Sequence, residues 1–266
     1  MKMERPQIAA IKRVEEEADG IKTIFLNSSM KARHGQFIML WLPRIDEKPF
    51  AVSYASKGEI GITVAAVGPF SEKLSLMRAG EKIGVRGPYG RPYTLAKGNL
   101  VMIGGGYGSA SLAMLAEEAA RKMTRVKFIL GARSKSRLVY VERIKRLIGE
   151  ENLTITTDDG SAGRKGLVTD ALKEMIAREK IDKIYACGPD KMLKAVASIG
   201  HEAGIPGEIS MERYMKCGFG LCGHCCVDPI GIRLCVEGPV IDFGTAMQVK
   251  ELGLYHRLKS SRKEAI

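Results

Sequence analysis

Five of the six cysteines fall between Cys217 and Cys235, in the run Met215-Lys-Cys217-Gly-Phe-Gly-Leu-Cys222-Gly-His-Cys225-Cys226 followed by Cys235. The spacing C-x4-C-x2-C-x9-C begins as plant-type loops that ligate a [2Fe-2S] cluster begin, and it points to Cys217, Cys222, Cys225 and Cys235 as metal ligands. Such a loop must wrap tightly and aim backbone N–H groups at sulfur. Gly218, Gly220 and Gly223 permit that approach. Four thiolates also suit a closed tetrahedral zinc site, so a zinc-stapled, non-redox module stays open. One thiol is left over, because C-x4-C-x3-C through Cys226 is also possible. Spacing favours Cys225 and leaves Cys226 as a small buried hydrophobe. His224 could replace a cysteine, but it reads better as an outward-facing loop histidine.

A second group of residues could seat a dinucleotide. In Val101-Met-Ile-Gly104-Gly105-Gly106-Tyr107-Gly108-Ser109, glycines stand where a buried strand turns into a helix, so backbone N–H groups and the helix dipole can face a pyrophosphate. The match to G-x-G-x-x-G holds only if Ser109 replaces the third glycine, and a tight turn without ligand would look the same. Two later loops strengthen the reading: Thr157-Asp158-Asp159-Gly160-Ser161 and Cys187-Gly188-Pro189-Asp190 both leave the carboxyl ends of strands, the edge where open α/β sheets bind ligands. Asp158 and Asp159 would repel a 2'-phosphate, which favours NAD over NADP, with Arg133 as the counter-argument. Cys187 is expected to line the nicotinamide crevice with Gly188.

The elements that must carry these residues change texture along the chain. From Gln7 to about Asn99, short β-rich runs broken by Gly and Pro (Thr23 to Leu26, Gln36 to Leu42, Phe50 to Tyr54, Ile60 to Val67, Lys82 to Arg86) predict an antiparallel barrel. Beyond Gly98, strands near Leu100–Ile103, Val126–Leu130, Leu153–Thr156 and Lys183–Ala186 alternate with helices near Ser109–Lys122, Val139–Ile148, Val168–Glu179 and Pro189–Ala203. That alternation predicts a doubly wound parallel sheet. The expected organisation is a multidomain α+β chain: a flavin-binding barrel over residues 1–98, a nucleotide-binding α/β domain over 99–208, a small iron-sulfur subdomain over 209–246, and a polar basic tail from 247.

Composition bounds the function. With 45% apolar and 27% charged residues in 266, the chain can bury a full core, which excludes a disordered or fibrous protein. The longest apolar run, Phe37 to Leu42, is far short of the roughly 18 residues a membrane helix needs, and Met1 to Arg13 has no signal-peptide core, so the chain reads as soluble and cytoplasmic. The net charge of +12 raises nucleic-acid binding, but part of it lies in the tail around Lys250, Arg257, Lys259, Arg262 and Lys263, and no nucleic-acid partner is expected.

Lys48-Pro49-Phe50-Ala51-Val52-Ser53 on a strand and Gly68-Pro69-Phe70-Ser71 opening a helix, in a barrel that precedes such a half-sheet, resemble the ferredoxin-NADP reductase superfamily over about the first 205 residues. In that family an Arg-Pro-aromatic-Ser strand flanks the isoalloxazine and its phosphate, and a Gly-x-x-Ser helix start binds the FAD pyrophosphate. The resemblance therefore implies FAD at Lys48, Pro49, Phe50, Ala51, Gly68 and Ser71. Lys48 replaces the arginine and loses its bidentate fork, and Ala51 lacks the usual hydroxyl. Ser53, two residues on, is expected to share the face of Ala51 and compensate.

Nicotinamide delivers two electrons as hydride, an iron-sulfur cluster takes one, and a flavin converts between them, so the combination reads as an electron wire. We find no G-x-S-x-G elbow, no H-E-x-x-H and no base-nucleophile arrangement for an organic substrate. The order of barrel, half-sheet and C-terminal Met211-Glu-Arg-Tyr-Met-Lys-Cys217 through Cys235-Val-Glu-Gly-Pro239 resembles the electron transfer subunits of class 1B dihydroorotate dehydrogenases nearly end to end. Membership would imply FAD, a [2Fe-2S] cluster, NAD as electron acceptor or donor, and a catalytic dihydroorotate dehydrogenase partner in a heterotetramer. The Cys-Gly-His-Cys core also resembles gamma subunits of sulfhydrogenases and anaerobic sulfite reductases, which is the alternative.

Overall fold

The computed structural model describes residues 5–266, so the first four residues of the expected barrel domain lie outside the described region. Strands β1 (Gln7–Ala18), β2 (Ile21–Asn27), β3 (Phe37–Leu42), β4 (Asp46–Ser56), β5 (Glu59–Ala65) and β6 (Lys82–Tyr89), with helix α1 (Pro69–Ser75), build a closed antiparallel barrel in the order β1-β2-β5-β4-β3-β6. Its interior is filled by β-branched and leucine side chains, among them Ile24, Leu26, Ile38, Leu40, Val52, Ile60, Ile62 and Val64, which are buried on alternating or bulged positions. β1 is the strand that the run pattern misses. Its Ala-Ala-Ile-Lys-Arg-Val-Glu-Glu-Glu-Ala sequence lacks strand character, yet it pairs with both β2 and β6 and so closes the barrel.

The second layer is a seven-stranded sheet in the order β10-β9-β8-β7-β11-β12-β13. It is built from β7 (Asn99–Gly105), α2 (Ser109–Arg121), β8 (Arg125–Ala132), α3 (Val141–Ile148), β9 (Leu153–Thr157), the two-residue β10 (Arg164–Lys165), α4 (Val168–Arg178), β11 (Lys183–Cys187), α5 (Asp190–Glu202), β12 (Gly207–Ser210) and β13 (Val240–Asp242). β7 is covered on both faces and therefore reads as one continuous apolar run. All pairings are parallel except β12 with β13, which runs antiparallel at the edge. The polypeptide after the cysteine run thus returns into the sheet through β13.

Helix α2 lies at the seam between barrel and sheet. Most of its Ala-rich surface is buried, and Met114 joins the barrel core while Leu112 and Leu115 join the sheet core. Polar contacts fix the same seam. The Tyr140 hydroxyl meets those of Thr23 (2.9 Å) and Thr63 on the outer face of the barrel, and Arg143 donates two hydrogen bonds of 3.0 Å to the Ser53 carbonyl while its guanidinium lies 3.5 Å from the Tyr54 ring centroid.

The segment expected to be a polar basic tail is largely structured. Helix α6 (Phe243–Gln248) is capped by Asp242, whose carboxylate accepts from the Thr245 N–H (2.8 Å). Beyond it Val249, Glu251 and Leu252 are buried, and β14 (Tyr255–Arg257) pairs with β15 (Lys263–Ala265) in a hairpin. Among the described residues no helix is long and apolar enough to cross a membrane.

Candidate functional site

The four cysteines that the spacing selects arrive as two pairs. The Cys222 N–H points at Cys217 Sγ (3.4 Å) and the two thiols are hydrogen-bonding neighbours. Cys225 and Cys235 form the second such pair, with the Cys235 N–H directed at Cys225 Sγ (3.5 Å). The pairs sense each other, since Cys217 acts electrostatically on Cys235. Gly220 N–H adds a donor to Cys235 Sγ at 3.1 Å. Gly218 and Gly220 have φ of 81° and 85°, the left-handed region, and these turns carry the loop around the sulfurs.

The electrostatics suit thiolates in one member of each pair. Burial works against ionisation of Cys217, but backbone N–H groups from Cys222, Phe219 and Leu221 bring it down to about 7. The neighbouring Cys235 thiol, helped by backbone donors, brings Cys225 down to about 6. Cys235 is correspondingly raised, first by its bond to Cys225 and then by burial. Two adjacent cysteine pairs fit the donor set of a [2Fe-2S] cluster, with one pair available to each iron.

The two leftover groups are accounted for. Cys226 forms an isolated backbone bridge with Arg233, and its thiol is raised by burial and by the nearby Cys225 charge. His224 does not face outward as expected: Nε2 lies 3.2 Å from the Leu258 carbonyl, Nδ1 3.3 Å from Ser261 Oγ, and the ring meets Tyr214 edge-on. The C-terminal hairpin therefore braces the cysteine loop.

The residues expected at a flavin also come together. Phe50 on β4 stacks on Phe70 of α1 with ring centroids 5.9 Å apart, so the strand motif and the helix start are adjacent. Ser71 Oγ accepts from the N–H groups of Val67 (3.0 Å) and Gly68 (3.1 Å), which pins the start of α1. No atom lies within 4 Å of where a Gly68 Cβ would stand. Pro49 pairs with Met39 and Ala51 with Phe37 across β3, and Ala51 is exposed. An open glycine, an exposed small residue and an aromatic between them fit a planar ring system and its phosphates.

One expectation there is corrected. Ser53 does not share the open face of Ala51, because a bulge between Val52 and Tyr54 breaks the alternation. It is fully buried, and its hydroxyl accepts from Thr63 (3.0 Å), so it cannot replace the hydroxyl missing at position 51. Lys48 keeps its charge but already has partners. Its ammonium lies 3.2 Å from Asp46, bonds to the Tyr214 hydroxyl and sits 3.7 Å from that ring's centroid.

At the carboxyl edge of the sheet the glycine run, Cys187 and the acidic loop share one side of the fold. Gly105 and Gly108 serve close packing: a Cβ on Gly105 would come 2.7 Å from Met192 Sδ, and one on Gly108 2.8 Å from the Gly188 backbone. Gly104 likewise leaves room for the Ser109 side chain. Gly106 alone opens onto free space, and the buried Ser109 Oγ at the start of α2 lacks a hydrogen-bond partner. One open backbone position and one orphaned hydroxyl at a helix N-terminus fit a dinucleotide phosphate. Asp158 and Asp159 follow β9, exposed, their N–H groups bonded to the carbonyls of Ala132 (3.1 Å) and Arg133 (3.3 Å). Asp159 is held below the usual carboxylate range by the Ser161 hydroxyl and N–H.

Sequence reading missed Glu212. It is exposed to solvent, accepts from the Tyr107 hydroxyl at 3.5 Å and stands near the Asp190 carboxylate. Burial pushes Cys187 up to about 12, so it is a neutral thiol. Next to Glu212, Arg213 is buried between Asp190 (2.8 Å) and Glu251 (3.3 Å), tying the cysteine segment to α5 and to the C-terminal segment.

Comparison with known proteins follows this geometry. The family pattern for the iron-sulfur cluster binding domain of dihydroorotate dehydrogenase B matches residues 212–246, and that for an oxidoreductase NAD-binding domain matches residues 102–198. A protein of Methanocaldococcus jannaschii named probable dihydroorotate dehydrogenase B (NAD(+)), electron transfer subunit, is 41% identical over 98% of this chain and 99% of its own. One of the same name from Methanocella arvoryzae is 41% identical over 98% of this chain and 100% of its own. Among solved structures, a chain from work on flavin-based electron bifurcation by the NADH-dependent reduced ferredoxin-NADP oxidoreductase is similar with a TM-score of 0.83 and 31% identity, over 92% of this chain and 91% of that one. A ferredoxin NADP+ reductase from Neisseria gonorrhoeae, with bound FAD and NADP, shares the fold with a TM-score of 0.64 at 18% identity, over 74% of this chain and 91% of that one.

Proposed function

Since the chain belongs to the family of electron transfer subunits of dihydroorotate dehydrogenase B, we propose that it carries electrons between a dihydroorotate-oxidising flavoprotein and NAD, within pyrimidine biosynthesis. The observation that carries this reading is the full-length match combined with two cysteine pairs on one loop. Bound FAD and a [2Fe-2S] cluster supply the exchange between hydride and single electrons. The protein's own part is to hold, orient and shield. Cys217, Cys222, Cys225 and Cys235 would ligate the irons. Phe50, Ala51, Gly68 and the start of α1 would hold the flavin, with Pro49 shaping its strand and Ser71 pinning the helix start.

Gly106 and the N-terminus of α2 would take the NAD pyrophosphate, with Gly104, Gly105 and Gly108 permitting that turn. Cys187, Gly188 and Glu212 would line the nicotinamide end. Asp158 and Asp159 favour NAD by repelling a 2'-phosphate.

A catalytic partner is implied by the family, and we read the assembly as a heterotetramer of two plus two in the cytoplasm. Supporting a docking face at the cluster, Cys222 is exposed beside Phe219, Leu221 and Val236, which are 41%, 70% and 39% exposed. Thiols left free throughout the chain suit a reducing compartment. The likeness to the bifurcating oxidoreductase chain favours a second reading, a subunit that serves a different flavoprotein partner.

Copurification from the native host followed by assay separates the two. The first reading expects a partner flavoprotein and dihydroorotate-dependent reduction of NAD that requires both chains. A partner that ignores dihydroorotate, such as a hydrogenase, a sulfite reductase or a ferredoxin-linked enzyme, would overturn it.

A further inference from the structure

The barrel places a part-buried ion pair directly beneath the first cysteine of the loop. Arg86 on β6 is 8% exposed and holds Glu47 of β4 with two hydrogen bonds, Nε to Oε1 at 2.8 Å and Nη2 to Oε2 at 2.6 Å. The same Nη2 donates to the carbonyl of Cys217 at 3.0 Å, and Nη1 donates to the Tyr89 hydroxyl at 3.3 Å. The Phe219 ring, two residues beyond Cys217, covers the guanidinium with its centroid 5.6 Å from Cζ. Gly218 presses on the same patch of barrel, where a Cβ would come 2.9 Å from Met39 Cγ. The loop thus touches the cation, and the carboxylate reaches the loop through it.

We propose that this pair sets the reduction potential of the centre held by Cys217: Arg86 favours its reduced form and Glu47 moderates that effect. The inference rests on the two-iron reading. Reduction adds one negative charge to the centre, and a charge a few ångströms away under low-dielectric cover changes the cost of adding it. Arg86 acts twice, by its own charge and by polarising the Cys217 peptide towards the cluster. Without Arg86, the Glu47 carboxylate stands uncompensated beside the loop and opposes reduction. Without Glu47, the bare guanidinium assists it. The two halves of one pair therefore act with opposite signs, which a purely structural role would not produce.

The test is an anaerobic redox titration followed by the electron paramagnetic resonance of the reduced cluster, on the full chain with its cofactors. Arg86→Gln is expected to make the cluster harder to reduce by about tenfold in equilibrium constant, ~59 mV for one electron. Glu47→Gln is expected to make it easier to reduce by a similar factor, and Arg86→Lys, which keeps the charge, to stay nearer the parent. If Arg86→Gln does not fold, Glu47→Gln decides alone by its upward shift. Clusters present in every variant with coincident potentials, or both glutamine variants shifting the same way, would overturn the proposal. A parent chain without any cluster signal would overturn the two-iron reading with it.

Discussion

Cys225 and Cys226 are neighbours in the chain, and the fold treats them differently. Cys225 is buried, paired with Cys235 and brought down to about 6, whereas Cys226 is raised and bridged through its backbone to Arg233. We expect Cys225→Ser to lose the iron and sulfide that the parent binds and Cys226→Ser to keep them, as measured by metal and sulfide content and visible absorbance. The reverse result would mean that the third ligand is Cys226. The grouping of Cys217, Cys222, Cys225 and Cys235 was legible in the sequence because a wrapping loop is a local object, written in nearby residues. Arg86, Glu47 and Glu212 were not, because their significance lies in contacts more than a hundred residues away or across strands. Ser53 failed for a smaller reason, a single bulge that turned its hydroxyl onto Thr63 at the seam with the sheet layer.

Elements were more legible than their partners. Each strand and helix expected between residues 100 and 203 exists with ends shifted by at most a few positions, because parallel strands are continuous apolar runs and the helices between them are amphipathic. β1 escaped because barrel closure, rather than its Ala- and Glu-rich sequence, makes it a strand. The run past Met247 escaped because its order depends on Glu251 burying against Arg213 and on a hairpin resting on His224. The loop after β11 and the first turn of α2 are packed backbone to backbone at Gly188 and Gly108. Gly108→Ala must push these two elements, proposed to seat the dinucleotide, apart, since backbone cannot rotate away as a side chain can. We expect NADH affinity measured by titration to fall about tenfold, or ~1.4 kcal/mol, with flavin and cluster absorbance unchanged. Unchanged affinity would place the dinucleotide elsewhere.

Across the whole molecule, the three proposed cofactor sites are joined by contacts between the elements that carry them. Arg143 locks the sheet layer to the barrel strand that carries Phe50, Tyr140 locks it to β2 and β5, and α2 fills the seam. Lys48 with Tyr214, and Arg86 with Cys217, lock the barrel to the cysteine loop. Arg213 locks that loop back to α5 at Asp190. A buried ion pair of this kind contributes little net stability but holds geometry, and geometry is what electron transfer between fixed centres demands. The most direct test of this relay is the reduced-state paramagnetic resonance of anaerobically purified, iron-loaded protein, with metal and sulfide counted on the same sample. The account predicts a dithionite-induced signal with two irons and two sulfides per chain. One zinc per chain and a silent spectrum would contradict it.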